Sequence, residues 1–147
     1  MSLPDRRYDL AGALLADAVS DATATGRPAH EALAEAAHRV GMETGAASRR
    51  EMTGKRSASA VKAAAIAALA RLGYEPREDQ GDVVLANCPF HRLAERHRGL
   101  VCGMNLDLLS GLAEGLDEQR RLTARLEPAE GMCCVRLSVA PARVGRR

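Results

Sequence analysis

Between Leu85 and Asn105 the chain reads LANCPFHRLAERHRGLVCGMN. Cys88 and Cys102 frame this stretch, with His91 and His97 between them, in a chain that has four cysteines and four histidines in all. The remaining cysteines, Cys133 and Cys134, are adjacent and near the C-terminus. Thiolates and imidazoles are the donors that hold zinc and iron–sulfur clusters, so this concentration predicts a metal or cluster site. Pro89 fits the first position of a short helix running to about His97, with Cys88 at or near its cap. Cys102 opens the next helix on its buried face. At a helix start the unpaired N–H groups and the dipole favour the thiolate, the form that binds metal or reacts. The candidate ligands are therefore Cys88, Cys102 and Cys133, with His91, about one turn beyond Cys88, as the fourth. Three thiolates and an imidazole suit tetrahedral zinc, and three thiolates with one other ligand suit a cluster.

Cys133 is preferred to Cys134 on strand geometry. Cys133, Val135, Leu137 and Val139 share one face of a strand, and Cys134, Arg136, Ser138 and Ala140 share the other. Neighbouring strand residues cannot both aim at one small site without distortion, so Cys134 is expected to point outward as a spare thiol. The competing reading makes the cysteines small buried hydrophobes. His91 has its own alternative, an exposed residue paired with Glu95, and His97 reads as a hydrogen-bonded core histidine. Cys88 with His91 offers a nucleophile and a base, but no orienting acid or oxyanion arrangement accompanies them. No phosphate loop, dinucleotide fingerprint or nucleophile elbow occurs.

The elements that must position these residues follow from periodicity. Tyr8 to Thr25 has helical spacing of Leu10, Leu14, Leu15 and Ala18, and Gly26-Arg27-Pro28 ends it. A second helix runs from Pro28 to about Ala47. Arg49 to Arg56 is a polar connector. Ser57 or Ser59 caps a third helix, whose stripe is Val61, Ala65, Leu69 and Leu72, with Gly73 as its C′ residue. Tyr74 to Glu78 reads as extended, Gln80-Gly81-Asp82 as a turn, and Asp82 to Ala86 as a strand. Cys102 to Leu116 is a helix with a stripe of Cys102, Leu106, Leu109, Leu112, Ala113 and Leu116. Leu122 to Glu127 and Met132 to Ala140 form an antiparallel hairpin around a turn at Pro128–Gly131. The order predicts an α+β fold with N-terminal helices and a late antiparallel sheet.

The whole chain, 147 residues, suits one domain, 1–147. Apolar residues make up 46 % but aromatics only 2 %, so the core must be built from Ala, Leu and Val, which favours close-packed helices. Lys+Arg at 21 against Asp+Glu at 19 gives a net charge of +2 and no electrostatic case for nucleic-acid binding by this chain. The tail 141–147, PARVGRR, reads as a frayed terminus. Neither a membrane span nor a signal peptide is evident, so a reducing cytoplasm is expected, where cysteines argue for metal or thiol chemistry over disulfides.

NCPFHRLAERHRGLVCGMNLDLLSGLAEGL and EPAEGMCCVRL resemble the C-terminal half of bacterial ArsR-like (winged-helix) transcriptional regulators, and most closely the iron–sulfur-binding repressors of the Suf cluster-assembly genes. Their motif is Cys-Pro-x-His, a second cysteine further on, and a third after a Gly-x-Cys turn. Cys88, Pro89, His91, Cys102 and, after Gly131-Met132, Cys133 occupy those positions. LPDRRYDLAGALLADA looks like the segment that follows the DNA-binding domain in such proteins. The chain is also similar, more loosely, to 4-vinyl-reductase-type ligand-binding domains. The resemblance implies an effector domain that reaches DNA only through an N-terminal winged-helix domain not present in this chain. It implies a homodimer with an iron–sulfur cluster or zinc at the cysteines, the Ala-rich N-terminal helices being candidates for the interface. The other readings are a small-molecule-binding regulatory module with structural cysteines or zinc and, weakest, an enzyme using Cys88 as a nucleophile; a non-enzymatic role is expected.

Overall fold

The computed structural model describes residues 7–140. The tail read as frayed, 141–147, lies outside the described residues. Helix α1 spans Tyr8–Thr25 and ends on Gly26, whose φ of 81° lets its N–H close onto the Ala22 carbonyl. Helix α2, Ala29–Glu51, starts behind Pro28 and runs past the expected end at Ala47. Arg49 and Arg50 complement the dipole of its last turn, and Arg49 Nη1 donates to the Gly115 carbonyl at 2.6 Å, tying that turn down. Helix α3 is Ala58–Arg71; of the two candidate serines, Ser57 is the cap, accepting from the Ala60 N–H at 3.2 Å.

Strands β1 (Pro76–Asp79) and β2 (Asp82–Leu85) form a hairpin across Gln80 and Gly81, both at positive φ. Helix α4 is His91–Arg96 and α5 is Arg98–Leu116. Strands β3 (Leu122–Leu126) and β4 (Val135–Val139) complete one antiparallel sheet in the order β1-β2-β4-β3. The α+β class and the late hairpin are as expected. The non-local pairing is β2 with β4, Val83 opposite Leu137, and it sets the β3–β4 hairpin beside the chain that leaves β2.

Helix α5 is the centre of the molecule. It is apolar over most of its circumference because α2 covers one side and the sheet another, and Val101, Met104, Leu108, Leu109 and Leu112 are all buried. Four glycines allow α2 and α5 to meet backbone to backbone. A Cβ at Gly41 would overlap the Leu108 carbonyl oxygen, and one at Gly45 that of Leu112. From the other side, Gly111 faces the His38 carbonyl and Gly115 that of Met42. Part of the alanine content of these helices lies in the chain's own core, where Ala11, Ala37, Ala65 and Ala68 are fully buried, and part is exposed, as at Ala13 and Ala16.

Candidate thiol site

Three segments converge at one end of α5. The first leaves β2. Asn87 locks it to the preceding loop, its Oδ1 accepting from the Glu75 N–H at 2.6 Å and its Nδ2 donating to the Gly73 carbonyl at 3.1 Å. Cys88 follows, and its carbonyl accepts from the His91 N–H in a turn. Helix α4 therefore begins at His91, not at Pro89. The second segment is α5. It begins at Arg98, so Cys102 lies beyond the first turn and not at the helix start. It is half-buried, one position off the fully buried stripe, which begins at Val101. The third is the entry to β4. The Cys133 N–H donates to the Leu85 carbonyl at 2.8 Å, and the Cys134 carbonyl accepts from the Glu127 N–H at 2.8 Å.

All four cysteines are free thiols, and all four line one cavity of about 630 Å³, with His91 and Arg98 on its wall. The expectation that Cys134 points away is overturned. Regular strand geometry starts only at Val135, and the backbone bends at Cys134, so the alternation of faces does not apply to the pair. Cys133 lies beside both Cys88 and Cys134, and Cys134 also beside Cys102, each close enough to bias its neighbour's proton. The sulfurs thus form a chain in the order Cys88, Cys133, Cys134, Cys102.

That chain divides the protons unequally. Hydrogen bonding from Cys133 pulls Cys88 down to about 6, helped by the side chain of Asn105, whose Nδ2 lies 3.5 Å from the sulfur. Cys133 likewise pulls Cys134 down to about 6. Burial, then the neighbouring Cys134, pushes Cys102 up to about 12. Cys133 is raised by its neighbours Cys134 and Cys88, between which its single S–H is shared, and by burial. Cys88 and Cys134 are therefore the sulfurs that ionise most readily, and Cys102 and Cys133 the ones that keep their protons.

His91 stands on the cavity wall, but its side chain is 55 % exposed and its Nε2 is 3.2 Å from Glu95 Oε2. His97 is exposed at the junction of α4 and α5, not a core histidine, because the chain must turn there between the two helices. Sequence reasoning missed Asn105 and Tyr74, both buried, joined by a Tyr74 Oη to Asn105 Oδ1 hydrogen bond of 2.5 Å. Among the described residues no three His, Cys, Asp or Glu side chains are grouped closely enough to hold a metal ion as they stand. The donor chemistry fits a soft metal, four thiols of which Cys88 and Cys134 are biased toward the thiolate, but the sulfurs are linked pairwise instead of facing one point. Binding a single ion would require them to close up. No helix among the described residues is long and apolar enough to cross a membrane. No family model, curated protein or solved structure matches the chain.

Proposed function

We propose that this chain is a regulatory domain that binds an iron–sulfur cluster or a thiophilic metal such as zinc through Cys88, Cys102, Cys133 and Cys134. The observation that carries the reading is the arrival of four free thiols from three separate segments at one cavity. Chance burial of small apolar residues does not gather four thiols from three separate segments on one cavity wall. Cys134 takes the place first given to His91, which has Glu95 as its partner.

A bound metal or cluster would supply a cross-link among the three segments that responds to metal supply or oxidation. The chain's own part is to hold the thiols. Asn87 clamps the Cys88 segment, the Leu85 carbonyl holds Cys133, and α5 carries Cys102. Gain or loss of the ligand then biases how firmly the β3–β4 hairpin is held against α5, a population shift between two arrangements. In a regulator of the ArsR-like kind this shift would be passed, in a homodimer, to attached DNA-binding domains. The 4-vinyl-reductase-type likeness belongs to the same reading.

A second reading is favoured by the cavity itself. About 630 Å³ lies within the range of small-molecule pockets. Reconstitution under anaerobic conditions separates the two: iron with sulfide, or zinc, retained in proportion to protein and lost in single Cys→Ser variants supports the first, and retention of neither supports an organic ligand.

A further inference from the structure

The core beneath the thiols contains a polar pair that folding alone does not call for. Asn105 is 0 % exposed and Tyr74 3 % exposed, amid leucine and methionine. Burying a carboxamide is costly unless its hydrogen bonds are met, and an apolar side chain at that position of α5 would avoid the cost. Asn105 Oδ1 is met by the Tyr74 hydroxyl, and Nδ2 reaches out of the core to Cys88 Sγ. We propose that Asn105, aligned by Tyr74, is a positioning residue that presents a side-chain N–H to the Cys88 sulfur and holds it for its metal or cluster. This rests on the thiol-site reading.

The direction of the bonds follows from what each atom can do. The amide N–H is the group turned toward the sulfur, Nδ2 lying 3.5 Å from Cys88 Sγ while Oδ1 takes the Tyr74 hydroxyl. Its carbonyl then faces Tyr74 and requires a donor. The Tyr74 hydroxyl supplies it, and burial raises its pKa well above the ordinary value. The tyrosine thereby selects one of the two amide orientations. The arrangement closes on itself, because Asn87, next to Cys88, bonds to the backbone on either side of Tyr74. Asn105 also lies one turn along α5 from Cys102, so the helix that carries one sulfur supports another.

The test uses the full reduced chain with cobalt(II) as a coloured probe, in wild type, Asn105→Leu and Tyr74→Phe. Asn105→Leu should fold and weaken cobalt binding about 10–100-fold, the usual effect of removing an outer-shell partner, with a shifted thiolate-to-cobalt absorption band. Tyr74→Phe should weaken it less. In metal-free protein, Cys88→Ala should move the Asn105 carboxamide signals in a proton–nitrogen NMR correlation spectrum. Wild-type affinity and absorption in a folded Asn105→Leu, or carboxamide signals indifferent to Cys88→Ala, would overturn the proposal. Should Asn105→Leu not fold, Tyr74→Phe and the carboxamide signals decide. Absence of cobalt binding by wild type would defeat the thiol-site reading instead, and the contact between Asn105 and Cys88 would then be judged by the NMR signals alone.

Discussion

The Cys133 N–H and the Leu85 carbonyl are joined by a 2.8 Å hydrogen bond, past the end of the regular β2–β4 ladder. Leu85 is the last residue of β2, and Cys88 follows after two residues. This bond brings the cysteine pair at the hairpin's end to the cysteine that leaves β2, and it is why residues far apart in sequence share one cavity.

If all four sulfurs ligate, Cys134 matters as much as Cys88. Cys134→Ser and Cys88→Ser should each weaken zinc binding by more than about 100-fold, beyond the range of an outer-shell change. His91→Ala should change it by less than about 10-fold, as the loss of a wall residue would. Competition against a chromogenic zinc chelator measures all three. Strong loss in His91→Ala with none in Cys134→Ser would restore the histidine as the fourth ligand.

The proton inventory gives a second prediction. Ligation requires deprotonated sulfur. At pH 8 Cys88 and Cys134, held at about 6, are already ionised, so binding should release two protons, from Cys102 and Cys133. Below pH 6 the release should approach four, and affinity should fall more steeply. Titration calorimetry in buffers of different ionisation enthalpy counts them.

The metal-free protein should show the same groups in its stability. Cys88 and Cys134 ionise more easily folded than unfolded, so they stabilise the fold above the ordinary thiol value of 9.0, and this is lost as pH falls through about 6. Cys102 and Cys133 hold their protons more tightly when folded, and their contribution is lost as pH rises from 9.0 toward 12. The thiol contribution should therefore rise from pH 6 to 9 and decline above it. Subtracting urea midpoints of an all-serine variant isolates this contribution.

Much of this was legible in the sequence, and the failures have physical causes. Helix α1 has the expected bounds because Gly26 stops a clear stripe, and Ser57 caps α3 as one of two candidates. The stripe expected on α5 holds for Leu109, Leu112, Ala113 and Leu116, which are buried. It fails at Cys102 and Leu106, which are half-buried because the fully buried face at this end runs through Val101, Met104, Asn105 and Leu108. Cys134 was assigned outward by applying strand alternation to residues that precede the strand. Gly131, at a φ of 75°, and the turn around it were the signals that alternation had not yet begun. Tyr74 and Asn105 left no local signal, since only the tertiary fold brings them together.

The glycine contact between α2 and α5 is a stability determinant. Gly41→Ala should cost about 3 kcal/mol, because the added carbon meets backbone that cannot turn aside. Gly12→Ala, with open space around the new carbon, should stabilise by about 0.5–1 kcal/mol. Denaturant unfolding of both variants provides the comparison.

Asp117 and Arg121 clamp the end of α5. Their side chains are 3 % and 8 % exposed, 3.0 Å apart, and Arg121 also donates to the Arg56 carbonyl. Asp117→Ala strands the arginine and should cost about 3–5 kcal/mol, whereas removing both charges together should cost less. Urea midpoints of the single and double variants measure this.

The most direct test of the central claim is a count of iron, sulfide and zinc in the chain purified without oxygen, with its visible absorption recorded beside the Cys134→Ser variant. Brown protein containing iron and sulfide, or colourless protein with stoichiometric zinc, with the loading lost in Cys134→Ser, is the expected result. Protein free of all three, with four titratable thiols and no uptake on reconstitution, would contradict the account.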